Sequence, residues 1–206
     1  MLAHSFGLRT EQLIRNHLWR HSLSLGDQDQ DRATVLNLLV HGLSDFNEQK
    51  LKAYVLVPEA AVDRTFLHTI ERAECARYPL FGSFGTQEGE TWRNLPFTFE
   101  VRERTAIAAL LEHWGRNAFS IVFSPLAPQQ FFELVRMMPI LRSFDEYLQW
   151  APFWYPESFE TVLCEANSVQ VAALFRHIGY YMRECEGGRS LRIYCRDRPE
   201  SRLAEE

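Results

Sequence analysis

"VAALFRHIGYYMRECEGGRSLRIYC", residues 171–195, is the stretch on which the fold of this chain turns. Val171, Leu174, Phe175, Ile178 and Met182 recur at three- and four-residue intervals. That spacing lines apolar side chains along one face of a helix. The stretch therefore reads as a long helix over 168–185, closed by Glu186, Gly187 and Gly188, because a glycine just past a helix end takes the left-handed conformation at little cost. "LRIYC", 191–195, then reads as a final strand, and the tail from Arg196 as charged and loose.

Upstream, "WAPFWYPESFETVL", 150–163, places Trp150, Phe153, Trp154 and Tyr155 around Pro152 and Pro156. Pro152 is tolerated at a strand edge or end. Pro156 suits the first turn of a helix, which runs on through Phe159, Val162 and Leu163. Before it, residues 140–144 and 147–153 read as a hairpin, with Asp145 and Glu146 at the turn.

Further back, strand and helix signals alternate. "LKAYVLV", 51–57, reads as a strand stopped by Pro58. Residues 59–75 read as a helix and 76–96 as a Gly- and Pro-bearing loop. "FTFEV", 97–101, reads as a strand with one buried face. Residues 104–114 read as a helix whose stripe is Ile107, Leu110, Leu111 and Trp114, with Trp114 a core residue at the corner made by Gly115. "AFSIVF", 118–123, is continuously apolar and reads as a central strand. Residues 127–138 form a further helix, ended by Pro139.

At the N-terminus, Leu13, Ile14, His17, Leu18, His21 and Leu25 share a helical stripe over 10–25. A polar break at 26–31 and a second helix to Phe46 follow. The expected organisation is a helical extension over 1–50, an α/β domain over 51–166, and a C-terminal helix with a charged tail over 167–206. The expected fold class is mixed α/β: a small mixed β-sheet flanked by helices, with the two-helix extension in front and the C-terminal helix behind.

The 206 residues are 46% hydrophobic and 24% charged, which is globular usage, and the net charge of −5 argues against a nucleic-acid-binding footprint. No apolar run reaches the roughly 18 residues a membrane helix needs, and no signal peptide is read at the N-terminus. Four cysteines without a Cys-x-x-Cys point to a reduced, cytoplasmic setting.

The sequence offers few candidates for chemistry. "FGSFG", 81–85, has the wrong glycine spacing for a nucleophile elbow, so Ser83 reads as part of a turn. His17 and His21 stand at i, i+4, as two imidazoles on one metal would, but they lie on the apolar stripe without a third ligand. His68, Glu71 and Cys75 share a helix face with the same shortfall. Neither a Walker loop nor a Gly-x-Gly-x-x-Gly is present. No metal, nucleotide or other cofactor is therefore expected. Arg189, Arg192, Arg196, Arg198 and Arg202 are interleaved with acids and read as a solvated tail rather than an anion site.

Residues 54–163 resemble the adaptor chaperones of bacterial type VI secretion, the domain of unknown function four-one-two-three. "YVLVPEAAVDRTFLHTI" is similar to that family's opening strand and helix, and "LPFTFEV" to its short strand after a proline. "LLEHWGRNAFSIVFSPLAPQQFFELVRMM" is similar to its helix, Trp-Gly corner, central strand and next helix. "SFDEYLQWAPFWYPESFETVL" is similar to its hairpin, aromatic strand end, proline and helix. The family's Arg-Phe-Tyr-Asp-Pro is replaced here by Pro152, Phe153, Trp154, Tyr155 and Pro156, so nothing that Arg and Asp do carries over. The resemblance implies a non-enzymatic, cytoplasmic adaptor that binds a toxic effector and loads it onto the spike protein, with no nucleic acid or membrane partner. The rings Trp150, Phe153, Trp154 and Tyr155 are the expected partner-binding patch. Two other readings stand beside it: a small enzyme with a site assembled from His113, His68 and Glu71, and an immunity or structural interaction protein.

Overall fold

The structure, a computed structural model, describes residues 9–13, 18–24, 51–58, 65, 68, 77–80, 97–101, 110, 113–116, 118–137, 140–142, 148–150 and 158–196. Ser120–Ser124 (SIVFS) is buried at all five positions. A strand with no exposed position is covered on both faces. It pairs antiparallel with Lys52–Val57 on one side and with Tyr180–Cys185 on the other.

Ten strands are described in chain order: β1 (Arg9–Leu13), β2 (Leu18–Ser24), β3 (Lys52–Val57), β4 (Arg77–Pro79), β5 (Phe97–Val101), β6 (Ser120–Ser124), β7 (Ile140–Arg142), β8 (Leu148–Trp150), β9 (Tyr180–Cys185) and β10 (Ser190–Cys195). Eight of them make one sheet in the order β1-β2-β10-β9-β6-β3-β5-β4. Every neighbouring pair in it is antiparallel. β7 and β8 form a separate hairpin, with Ile140 opposite Trp150 and Arg142 opposite Leu148. Three helices are described: α1 (Pro128–Met137), α2 (Ser158–Glu165) and α3 (Ser168–Phe175). No helix among the described residues is long and apolar enough to cross a membrane.

The sheet buries both faces, and alternation assigns each residue to one of them. Val55, Phe99, Phe119, Ile121, Phe123, Met182 and Ile193 lie in one core with Leu110 and Trp114. Tyr54, Leu56, Val122, Tyr181 and Tyr194 lie in the other, under Phe131 and Val135 of α1, Phe159 and Val162 of α2, and Val171, Leu174 and Phe175 of α3. The second core is rich in stacked rings. Phe159 lies on Tyr181 with centroids 3.5 Å apart, and Tyr54 on Phe131 at 4.0 Å. Buried tyrosines need hydroxyl partners. Tyr54 Oη donates to the Leu126 carbonyl at 2.6 Å and Tyr181 Oη to Ser120 Oγ at 2.8 Å.

The sequence expectations hold for β3, β5, β6, α1, the β7–β8 hairpin, α2 and β10, and for Trp114, which is 7% exposed. Four are corrected. The expected small mixed sheet is an eight-stranded sheet whose described pairings are all antiparallel. The helix expected over 10–25 is absent: the chain forms β1 and β2, with Leu13 opposite Leu18, and β2 pairs on with β10. Leu18 and Leu23 fall in opposite cores, as odd and even strand positions must. The helix expected to reach Phe46 lies outside the described residues. Residues 77–79 of the expected loop form edge strand β4, where Pro79 is tolerated because one side of the strand needs no ladder partner. Strands from all three segments of the expected organisation meet in the one sheet.

The fourth correction concerns the opening stretch. Its helix ends at Phe175, not at 185. α3 starts on a capping box in which Asn167 accepts from the Gln170 amide and Gln170 accepts from the Asn167 amide, both at 2.9 Å. Gly179 then donates its amide to the Phe123 carbonyl at 2.8 Å, and the chain enters β9. Met182 faces one core and Tyr181 the other, so the helical spacing of Ile178 and Met182 was a coincidence of a strand buried on both faces. "EGG" is a hairpin turn rather than a helix end: Glu186, Gly187 and Gly188 have φ of 54°, 63° and 83°.

Gly188 is also the point of closest approach. A Cβ there would lie 2.6 Å from the Gly115 Cα and 2.9 Å from Trp114 Cδ1. At Gly187 a Cβ would meet nothing within 4 Å. Gly187→Ala is expected to cost about 1 kcal/mol, the strain of a left-handed residue alone. Gly188→Ala is expected to cost about 2 kcal/mol, because overpacking against backbone is added to that strain. Chemical denaturation of the two variants checks the order; equal costs would mean that the corner is not in contact with the turn.

Candidate functional site: an arginine-lined groove at the end of the sheet

Register places the charged residues. On the α1–α3 face, Ser22, Arg192, Arg183 and Ser120 form one row across β2, β10, β9 and β6. Arg20, Tyr194 and Tyr181 form the next. Arg183 and Arg192 are therefore directly opposite each other, an arrangement like charges resist unless an anion intervenes. Glu160, in the first turn of α2, supplies it.

Glu160 gathers four donors. Its Oε1 accepts from Arg20 Nη1 at 3.1 Å, from Arg192 Nη1 at 2.5 Å and from the Tyr194 hydroxyl. Its Oε2 accepts from Arg192 Nη1 at 2.5 Å and pairs with Arg183 Nη2 at 3.0 Å. Burial pushes the Glu160 carboxyl up, but the Tyr194 hydrogen bond and the positive Arg183 and Arg192 outweigh it and hold the group below its ordinary value. Burial likewise pulls Arg183 down, and the neighbouring Tyr194, Cys185 and Glu160 more than restore it. Burial keeps the Tyr194 hydroxyl protonated well above the usual phenol range. The cluster thus holds three guanidinium cations on one carboxylate that is ionised at neutral pH.

Beside this cluster is a groove of about 520 Å³ between the 113–116 corner and the β9–β10 turn. Arg116, Arg183 and Arg192 line it, together with Gly115 and Gly187. Glu184 and Glu186 complete it. Glu184 is 2% exposed, and its carboxylate is already engaged: Oε1 accepts from the Ala118 amide at 3.1 Å and Oε2 from the Gly115 amide. That clamp fixes the corner on β9, and Trp114 Nε1 ties the same corner to the Gly188 carbonyl at 3.0 Å. Cys185 also lines the groove. Burial raises its thiol pKa more than Arg183 and Arg192 lower it, so it is a protonated wall residue rather than a nucleophile.

Several sequence candidates are placed differently. His21 lies in β2, so the helical i, i+4 geometry that would bring it to His17 does not exist, and His17 itself lies outside the described residues. His68 is helical and exposed, while Ser83, Glu71 and Cys75 lie outside the described residues. His113 is buried at the corner, with its backbone amide on the Leu110 carbonyl at 3.0 Å. Among the described residues no group of three His, Cys, Asp or Glu stands ready to hold a metal ion. Trp150 ends β8, and Phe153, Trp154 and Tyr155 lie outside the described residues. Arg192 does not belong to a solvated tail, as its spacing suggested, but to β10 and the Glu160 cluster.

Glu160, Arg20, Arg183 and Tyr194 were not singled out by sequence. Arg20 and Glu160 are 140 residues apart, and only the tertiary structure, the register of β2 with α2 packed over it, brings them together. Comparison with protein-family models, with curated proteins and with solved structures finds no match.

Proposed function

We propose that this chain is a cytoplasmic, non-enzymatic adaptor chaperone that binds a toxic effector of a type VI secretion system and helps load it onto the spike protein. The observation that carries the reading is the order of elements over 52–165. A strand, helical positions at Thr65 and His68, a strand at 97–101, a glycine corner, a central strand, α1, a hairpin and α2 follow in the order the resemblance implies. Gly115 at that corner has φ of 97°, a conformation that suits glycine and accounts for the Trp-Gly pair.

Trp150 stands at the end of β8, immediately before the ring-rich segment and α2. Large rings grouped in one short stretch of sequence suit a protein interface, where a few Trp and Tyr anchors hold most of the affinity. The test is co-purification of the chain with the effector and spike products of neighbouring genes. Wild type is expected to hold the effector, and a Trp150→Ala, Tyr155→Ala double variant with unchanged melting is expected to lose most of it. An effector that reaches the spike equally well without this chain would make it an immunity or structural partner. No complex with any neighbouring product would end the adaptor reading.

A further inference from the structure

We draw no further inference here: the strongest candidate, the groove between the 113–116 corner and the β9–β10 turn, carries nothing beyond the site already described, because Arg183 and Arg192 on its lining are already paired with Glu160 and the buried Glu184 already clamps the Gly115 and Ala118 amides.

Discussion

Trp114→Ala is expected to lower the unfolding free energy by about 4 kcal/mol, close to the whole margin of a marginally stable domain. The indole fills space in the core on the face away from α1–α3, with an edge contact to Phe119 at a centroid distance of 5.9 Å. Its Nε1–H also satisfies the Gly188 carbonyl at 3.0 Å. Truncation would therefore open a cavity and strand an acceptor at once. Trp114→Phe separates the two effects, because it keeps most of the apolar volume and loses only the donor. That variant is expected to cost about 1–2 kcal/mol. The check is urea denaturation of the three proteins, and a Trp114→Ala midpoint equal to wild type would remove the ring from the core. The corner depends on more than packing: the Glu184 clamp on the Gly115 and Ala118 amides survives in both variants, so residual order at residues 113–118 should persist when the indole is gone.

Glu160→Ala is expected to cost about 3 kcal/mol, at the low end for breaking a buried pair, because the carboxylate is 28% exposed. Removing it would leave Arg183 and Arg192 opposite each other without an anion between them, and the Tyr194 hydroxyl without its acceptor. Arg20→Gln removes one of the three cations and is expected to cost about 1 kcal/mol or less, since a partly exposed pair contributes little. The same carboxylate sets an acid response. Its folded-state pKa lies below the ordinary value of 4.5, so the unfolded chain takes up the proton first as pH falls. The stability it contributes is fully present above about pH 4.5 and is lost progressively below it as pH approaches the folded pKa. Denaturation from neutral pH to pH 3 should show wild type and Glu160→Gln converging below that point. A constant difference between them across the range would mean that Glu160 does not titrate as part of the cluster.

The elements legible in the sequence are those whose signal is local. β3 and β6 carry near-continuous apolar runs, and a short strand buried on both faces needs nothing else to declare itself. α1 was legible from Phe131, Leu134 and Val135 with Pro139 just past its end, and the corner at Gly115 from the Trp-Gly pair that stops one element before the next. The glycines of the β9–β10 turn, Gly187 and Gly188, are also in the sequence, although by local signal alone they read as a helix cap.

What the sequence could not show is where one periodicity imitates another. Leu13, Leu18 and His21 fit a helical stripe, yet they lie in β1 and β2 because β10 offers β2 a ladder, and hydrogen bonding across nearly the whole chain outweighs a weak local preference. The same competition made a helix of residues 176–185 on paper. A strand buried on both sides has no polar face to betray a period of two, so Ile178 and Met182 could satisfy either template. The arginine cluster is the strongest case. By itself the sequence determined that Glu160 lies in a helix and Arg192 in a strand, while it set Arg183 in a helix. Register decided that Arg183 lies opposite Arg192 and that β2 brings Arg20 into the adjoining row, and the packing of α2 on the sheet laid one carboxylate across all three. Electrostatic partners separated by as many as 140 residues leave no trace in local spacing, because nothing in the chain between them fixes their distance until the sheet has closed.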